Sequence, residues 1–126
     1  MTTKGVRIRR NVTVDIRYSD WHRTLPRHCY CTDLDFIEFR DGKIVAFIEA
    51  KLNRDRLTDF QEKVFRELEE RSGIPCYLVR YNEDLTRFQV TRVKDYFVIA
   101  EFSEPEYREW LSNLDKIDGQ LKEGKP

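Results

Sequence analysis

The chain has 126 residues, 40% of them hydrophobic and 37% charged, which fits a single domain with a modest core. Its 23 Lys and Arg side chains balance its 23 Asp and Glu side chains, so net charge creates no general attraction to polyanions. No run approaches the ~20 apolar residues of a membrane span, and no apolar segment follows the start. We therefore expect a cytoplasmic protein without a membrane partner.

The first third of the chain contains a strand pattern and an irregular segment. Val12, Val14, Ile16 and Tyr18 alternate with polar residues, and this period of two predicts a half-buried strand. Residues 19–32 show no period, and Pro26 prevents a long helix. No clear helix is predicted before residue 33.

A β-hairpin is predicted next, with strands near residues 34–40 and 43–50. Asp41-Gly42 lies between them, and this dipeptide favours the tight turn of a two-residue hairpin. The second strand is apolar on both faces over residues 44–48, which is typical of a central strand covered on both sides.

An amphipathic helix and a further strand follow the hairpin. The helix has a capping box in Thr58-x-x-Gln61 and an end signal in Gly73, and its apolar stripe consists of Leu57, Phe60, Val64, Phe65 and Leu68. Residues 76–81 are again apolar. Because a helix separates this strand from the hairpin, we expect it to run parallel to the hairpin's second strand.

The remaining elements complete an α/β domain. Residues around Phe88 and Val90 predict a strand, and residues 96–102 are either a strand or a buried link. Ser103-x-x-Glu106 is a second capping box, and it opens a helix whose apolar stripe includes Trp110. We expect a mixed central sheet flanked by helices, in one domain over residues 1–117 with a disordered tail over residues 118–126.

The hairpin brings together the side chains with the clearest chemistry. Glu49 and Lys51 share one face of a strand, because side chains alternate faces, and Asp35 opens the neighbouring strand. Two carboxylates converging at strand ends can bind Mg²⁺, and the Ala50 carbonyl can add a ligand. Lys51 would orient water or stabilise charge on a phosphoryl group. Asp33 is the alternative to Asp35, although Asp35 adjoins the apolar run.

These residues resemble the PD-(D/E)xK nuclease superfamily over residues 33–81. Asp35 matches its metal-binding acid, Glu49-Ala50-Lys51 matches its (D/E)xK element, and Gln61 matches a residue that several branches place beside the active site. Gln61 can equally serve only as the cap of its helix. The family's proline is absent, because Leu34 precedes Asp35. Asp20 is a candidate for the additional N-terminal acid of many members.

The resemblance implies a restriction-endonuclease-like fold and a hydrolase acting on phosphodiester bonds. The cofactor would be Mg²⁺, with Mn²⁺ as a substitute, and the partner would be DNA in repair, recombination or restriction. A protein of this size that cuts both strands of a duplex would act as a homodimer. The alternative is a catalytically silent nucleic-acid-binding or assembly module on the same fold.

The N-terminal segment suggests two further functions. Residues 1–31 hold seven basic and two acidic side chains, and candidate phosphate contacts are Arg7, Arg9, Arg10, Arg23 and Arg27. Trp21 can stack on a base, but we expect it in the core. A zinc site built on His22, His28, Cys29 and Cys31, with Cys76 as an additional ligand, is the other interpretation. We expect the two cysteines instead to pack as small apolar residues leading into the hairpin.

Overall fold

The computed structural model of the protein describes residues 6–9 and 12–116, with side chains from residue 16 onward. The chain divides into two compact units, Met1–Thr32 and Asp33–Pro126. The expected disordered tail, residues 118–126, lies outside the described residues. The expected single domain over residues 1–117 stays a prediction.

The first unit contains a short antiparallel strand pair and one helix. Strand β1, Val6–Arg9, pairs with strand β2, Val12–Asp15, and helix α1 spans Arg17–His22. The expectation of no helix before residue 33 is therefore wrong. Helix α1 has only six residues and no side-chain cap, so it is too short to produce a helical period in the sequence.

The second unit is built on a five-stranded mixed sheet in the order β3-β4-β5-β6-β7. Strands β4 and β5 run parallel, and the other neighbours run antiparallel. The sheet elements are β3 Phe36–Arg40, β4 Lys43–Leu52, β5 Cys76–Tyr81, β6 Arg87–Arg92 and β7 Phe97–Ser103. Two helices, α2 over Asp59–Ser72 and α3 over Glu104–Ser112, flank it. The predicted α/β class with a mixed sheet is confirmed.

The hairpin turn follows from two residues that adopt left-handed backbone conformations. Asp41 has φ 52° and Gly42 has φ 77°, which are the positive values that a type I′ turn requires at both central positions. Strand β4 continues for two residues beyond the predicted end, to Leu52. This extension carries Lys51 into the sheet.

One helix covers each face of the sheet. On one face α2 packs its Phe65 with Leu57, Phe47 and Leu78, all of them buried. On the other face Trp110 of α3 packs into the core, together with Leu114, which follows the helix. Both belong to a buried cluster with Ala46, Ile48, Tyr77, Val79, Phe88 and Val90. Strand β4 is thus covered on both sides, as its composition predicts. The predicted place of Trp110 in the core is confirmed.

The predicted stripe of α2 is wrong at Phe60, which is 57% exposed. Leu57 precedes the N-cap Thr58 and is not helical, so its spacing to Phe60 does not place the two on one face. At 100° per residue, Phe60 lies about 140° around the helix from Phe65, whereas Gln61 lies about 40° from it. Gln61 therefore faces the sheet.

The sequence of residues 96–102 fits either a strand or a buried link. Residues 97–103 form strand β7 at the edge of the sheet, and Phe97 and Val98 are exposed. Ile99 and Phe102 are half-buried against the core, so only the start of this apolar segment is exposed.

Candidate functional site

The antiparallel pairing of β3 and β4 positions Asp35 at the end of the ladder. Phe36 pairs with Ile48, so Asp35 lies opposite Glu49, one position beyond the last paired residues. There the Asp35 Oδ2 atom accepts a hydrogen bond from the Ala50 N–H at 3.1 Å. The Asp35 carboxylate thus accepts a hydrogen bond that a backbone carbonyl would accept if the β3–β4 ladder continued.

Glu49 is a buried carboxylate with one satisfied and one unsatisfied oxygen. Its side chain is 6% exposed, and its Oε1 atom has no hydrogen-bond partner among the described residues. The Oε2 atom accepts a hydrogen bond from Gln61 Nε2 at 3.4 Å and lies 3.8 Å from Lys51 Nζ. Buried polar atoms are nearly always hydrogen-bonded, so the unpartnered oxygen makes Glu49 a candidate functional residue.

The surroundings of Glu49 raise its pKa from 4.5 to about 7. Burial is the largest cause, because it disfavours the charged form, and the nearby Asp35 carboxylate acts in the same direction. Lys51 and the Asp35 backbone N–H oppose the shift, and Asp33 adds a small increase. Burial and the neighbouring carboxylates thus disfavour the charged form of Glu49, and a bound cation would favour it.

Lys51 lies two residues along β4 on the same face as Glu49. Its side chain is 22% exposed, so the ammonium group is shielded but reachable from solvent. In the sheet register Lys51 stands beside Arg80 of β5. Arg80 is a residue that the sequence analysis missed, and its only sequence signal is a basic side chain within an otherwise apolar strand.

Gln61 caps its helix and also contacts Glu49. Its Oε1 atom accepts a hydrogen bond from the Thr58 N–H at 3.0 Å, which completes the capping box of α2. Its Nε2 atom donates to Glu49. One amide thus links the start of the helix to the buried carboxylate.

The other acidic residues near the hairpin do not contact Glu49. Asp33 is exposed, and its side chain makes no hydrogen bond with the described residues. Glu38 pairs with Arg40 at 2.9 Å, and Asp41 forms the turn. Among these hairpin acids only Asp35 contacts the end of strand β4.

Ala50 lies between the two charged side chains of β4. The N–H and C=O groups of one strand residue point to the same side of the strand. Because the Ala50 N–H meets Asp35, its carbonyl oxygen also faces the side on which Asp35 lies. The Ala50 carbonyl is thus available as the third oxygen ligand that the sequence suggested.

The cysteines of the N-terminal unit do not pack as predicted. Cys29 and Cys31 are exposed, because the segment before β3 is irregular and offers no strand to pack them. Cys31 Sγ lies 3.5 Å from His22 Nδ1. Over the described side chains, no three His, Cys, Asp or Glu residues come close enough to hold a metal ion together. A metal at the hairpin would thus combine two carboxylates with other oxygen ligands.

The remaining N-terminal candidates lie in the first unit. Asp20 belongs to α1 and pairs with Arg23 at 2.8 Å, and Arg27 is exposed. Trp21 is 53% exposed, so its expected place in the core is wrong; the short helix α1 has no buried residue. The side chains of Arg7, Arg9 and Arg10 lie outside the described residues.

The raised pKa of Glu49 predicts a pH-dependent loss of stability in protein kept metal-free with EDTA. Below pH 4.5 both the folded and unfolded states are protonated at this residue. Between pH 4.5 and 7 only the folded state keeps the proton, so stability falls as the pH rises. The total loss is about 3 kcal/mol, at 1.36 kcal/mol per pKa unit.

The variant Glu49→Gln lacks this titration. Urea unfolding at several pH values should show the variant gaining stability relative to wild type between pH 4.5 and 7. Glu70→Gln, at an exposed residue of α2, is the control for loss of one carboxylate. A stability difference between wild type and Glu49→Gln that stays constant from pH 5 to 8 would contradict the assignment.

The chain was compared with protein-family models, curated proteins and solved structures. No protein-family model, curated protein or solved structure matches the chain. Within residues 6–9 and 12–116, the helices are too short and too polar to cross a membrane. The chemistry of the strand end is therefore inferred from its own residues.

Proposed function

We propose that the protein is a Mg²⁺-dependent nuclease that hydrolyses phosphodiester bonds, with DNA as its substrate. The observation that carries the proposal is the buried Glu49 carboxylate, whose Oε1 atom is unpartnered beside Asp35. Lys51 and Gln61 lie within reach of the same carboxylate. A strongly perturbed acid within such a cluster is a candidate functional group.

The oxygen atoms at the strand end fit a hard divalent cation. Asp35, Glu49 and the Ala50 carbonyl would hold Mg²⁺, or Mn²⁺ in its place, and water and a phosphate oxygen would complete the coordination. Bound there, the ion would supply Lewis-acid polarisation of the phosphoryl group and lower the pKa of a bound water. The proximity of Asp35 to the buried Glu49 is the property of this site that favours a cation.

The chain's own residues have separate roles in this proposal. The Lys51 ammonium stabilises negative charge that develops on the phosphoryl oxygens and orients the attacking water. Gln61 is a positioning residue, because its amide fixes Glu49 from the first turn of α2. Asp35 is held in place by the Ala50 N–H, which leaves its second oxygen for the metal.

The order of elements supports a restriction-endonuclease-like core. Strands β3 and β4, helix α2 and strand β5 follow one another as the resemblance to PD-(D/E)xK nucleases implies. DNA is the preferred substrate because of that resemblance. The homodimer remains a prediction for cleavage of both strands of a duplex, in which one site would otherwise act twice.

Cleavage assays should identify both the activity and the site. Linear duplex, single-stranded and branched DNA, and RNA, would be incubated with Mg²⁺, Mn²⁺ or EDTA. We expect metal-dependent cutting that falls by about 10²-fold or more in Lys51→Ala, because a charge that stabilises the transition state is lost. Asp35→Asn should fall similarly, and Asp33→Asn is its matched control, two residues away.

Two results would count against the assignment. Cutting that persists unchanged in Lys51→Ala and Glu49→Ala would show that the site lies elsewhere. DNA binding without cutting of any substrate would favour the silent binding module.

The two roles of Gln61 can be separated by a pair of variants. Gln61→Glu keeps a side chain that can close the capping box but loses the amide donor to Glu49. We expect it to remain folded while its activity falls about 10- to 100-fold, as for groups that orient metal ligands. Thr58→Ala removes the other half of the cap and should cost about 1 kcal/mol of stability.

Thr58→Ala should keep its activity per folded molecule, because Thr58 makes no contact with Glu49. Urea unfolding and initial cleavage rates, measured on the same preparations, give both quantities. Equal losses of activity in the two variants would assign Gln61 to the helix cap alone.

A further inference from the structure

A polar groove lies at the end of the sheet next to Lys51. It encloses about 360 Å³, and its walls include Arg54, Arg80, Asn82, Arg87, Gln89 and Tyr81. It opens where β4 and β5 end and β6 begins. None of these residues takes part in the proposed catalytic cluster, and we call this feature the arginine groove.

The sheet register connects the arginine groove to the catalytic cluster. Lys51 pairs with Arg80, Arg80 with Gln89, and Gln89 with Glu101, so these four side chains form one row across β4, β5, β6 and β7. Paired residues of neighbouring strands share a face, and the strands are about 4.8 Å apart. The groove thus begins one strand away from the Lys51 ammonium.

Arg80 is fixed in place before any ligand binds. Its Nε atom donates to the Asp55 carbonyl at 3.0 Å, and its Nη1 atom donates to Gln89 Oε1 at 3.1 Å. The loop at the rim is also ordered, because Asn82 Oδ1 accepts from the backbone N–H groups of Thr86 and Arg87 at 3.0 and 2.9 Å. Such preorganisation lowers the entropic cost of binding.

The charges of the groove favour an anion. Three arginines face one acid, Glu101, which is already bound by Arg87 at 2.9 Å and by Gln89 at 3.1 Å. The Arg54 side chain has no hydrogen bond or ion pair with the described residues. Guanidinium groups bind phosphate well because several of their N–H groups can contact it together.

The dimensions of the groove favour a single unpaired strand. Its volume lies at the lower end for small-ligand sites, which is room for a nucleotide and too little for a duplex. Tyr81 is half-buried at the wall and provides aromatic surface on which a base can stack, and the amides of Asn82 and Gln89 lie nearby. Basic side chains next to an aromatic one are a combination that binds single-stranded nucleic acid.

We propose that the arginine groove binds an unpaired nucleotide of the cleaved strand, next to the scissile phosphate. The inference rests on the proposed nuclease function and gives it a substrate class: single-stranded, flapped or frayed nucleic acid rather than intact duplex. A substrate of this class needs one cut, so a monomer suffices for it.

Binding without cleavage tests the groove separately from catalysis. A fluorescent single-stranded (dT)₂₀ and a hairpin duplex would be titrated with the full-length protein in EDTA, at several salt concentrations. Arg54→Ala/Arg87→Ala should weaken binding of (dT)₂₀ about tenfold and lower the slope of log affinity against log salt by about 1.4, at 0.7 per phosphate contact. Arg80 is left intact because it holds the loop at Asp55.

The matched control is Arg71→Ala/Arg108→Ala, which removes the same charge from α2 and α3 outside the groove. Equal effects of the two double variants on (dT)₂₀ would overturn the proposal, and so would equal losses for (dT)₂₀ and duplex in the groove variant.

The nuclease proposal is decided independently, by cutting in Mg²⁺ and its loss in Lys51→Ala. If no substrate is cut, a groove-dependent binding of (dT)₂₀ still supports the arginine groove. If substrates are cut and the groove variant cleaves single strands as fast as wild type, the groove inference fails and the nuclease function stands.

Discussion

The parallel pairing of β4 with β5 is the constraint on which the rest of the second unit depends. Parallel neighbours need a crossover, and α2 supplies it, so the helix must begin close to the point where β4 ends. This geometry places Gln61 above Glu49 and buries a carboxylate under the first turn of a helix. The same pairing sets Lys51 beside Arg80 and so joins the proposed catalytic cluster to the arginine groove.

The burial of Glu49 opposes stability, and in the proposed function it serves the site. An apolar residue at this position would avoid the desolvation that raises its pKa to about 7. This unfavourable burial occurs at a strand end, where Asp35, Lys51 and Gln61 surround the Glu49 carboxylate. Locally unfavourable groups that persist in a well-packed core are concentrated at functional sites, because selection for stability alone would remove them.

Features determined by local chemistry could be predicted from the sequence. The Asp41-Gly42 turn, the capping box at Thr58 and the crossover to β5 each depend on neighbouring residues, and together they place Glu49 and Lys51 on one face. Helix α1 could not be predicted, because six residues give too little periodicity. Exposure of Trp21 depends on what packs around it, which composition does not encode.

Arg80 marks the limit of prediction most clearly, because its position beside Lys51 exists only after the two strands pair in one register. A shift of that register by one residue would turn Arg80 to the opposite face of the sheet, which α3 covers and where Tyr77 and Val79 now lie. The buried residues of β5 prevent the shift, since Leu78 packs toward α2 and Val79 toward α3. The apolar core therefore fixes the polar row, because the side chains that exclude water determine where Lys51, Arg80 and Glu101 lie.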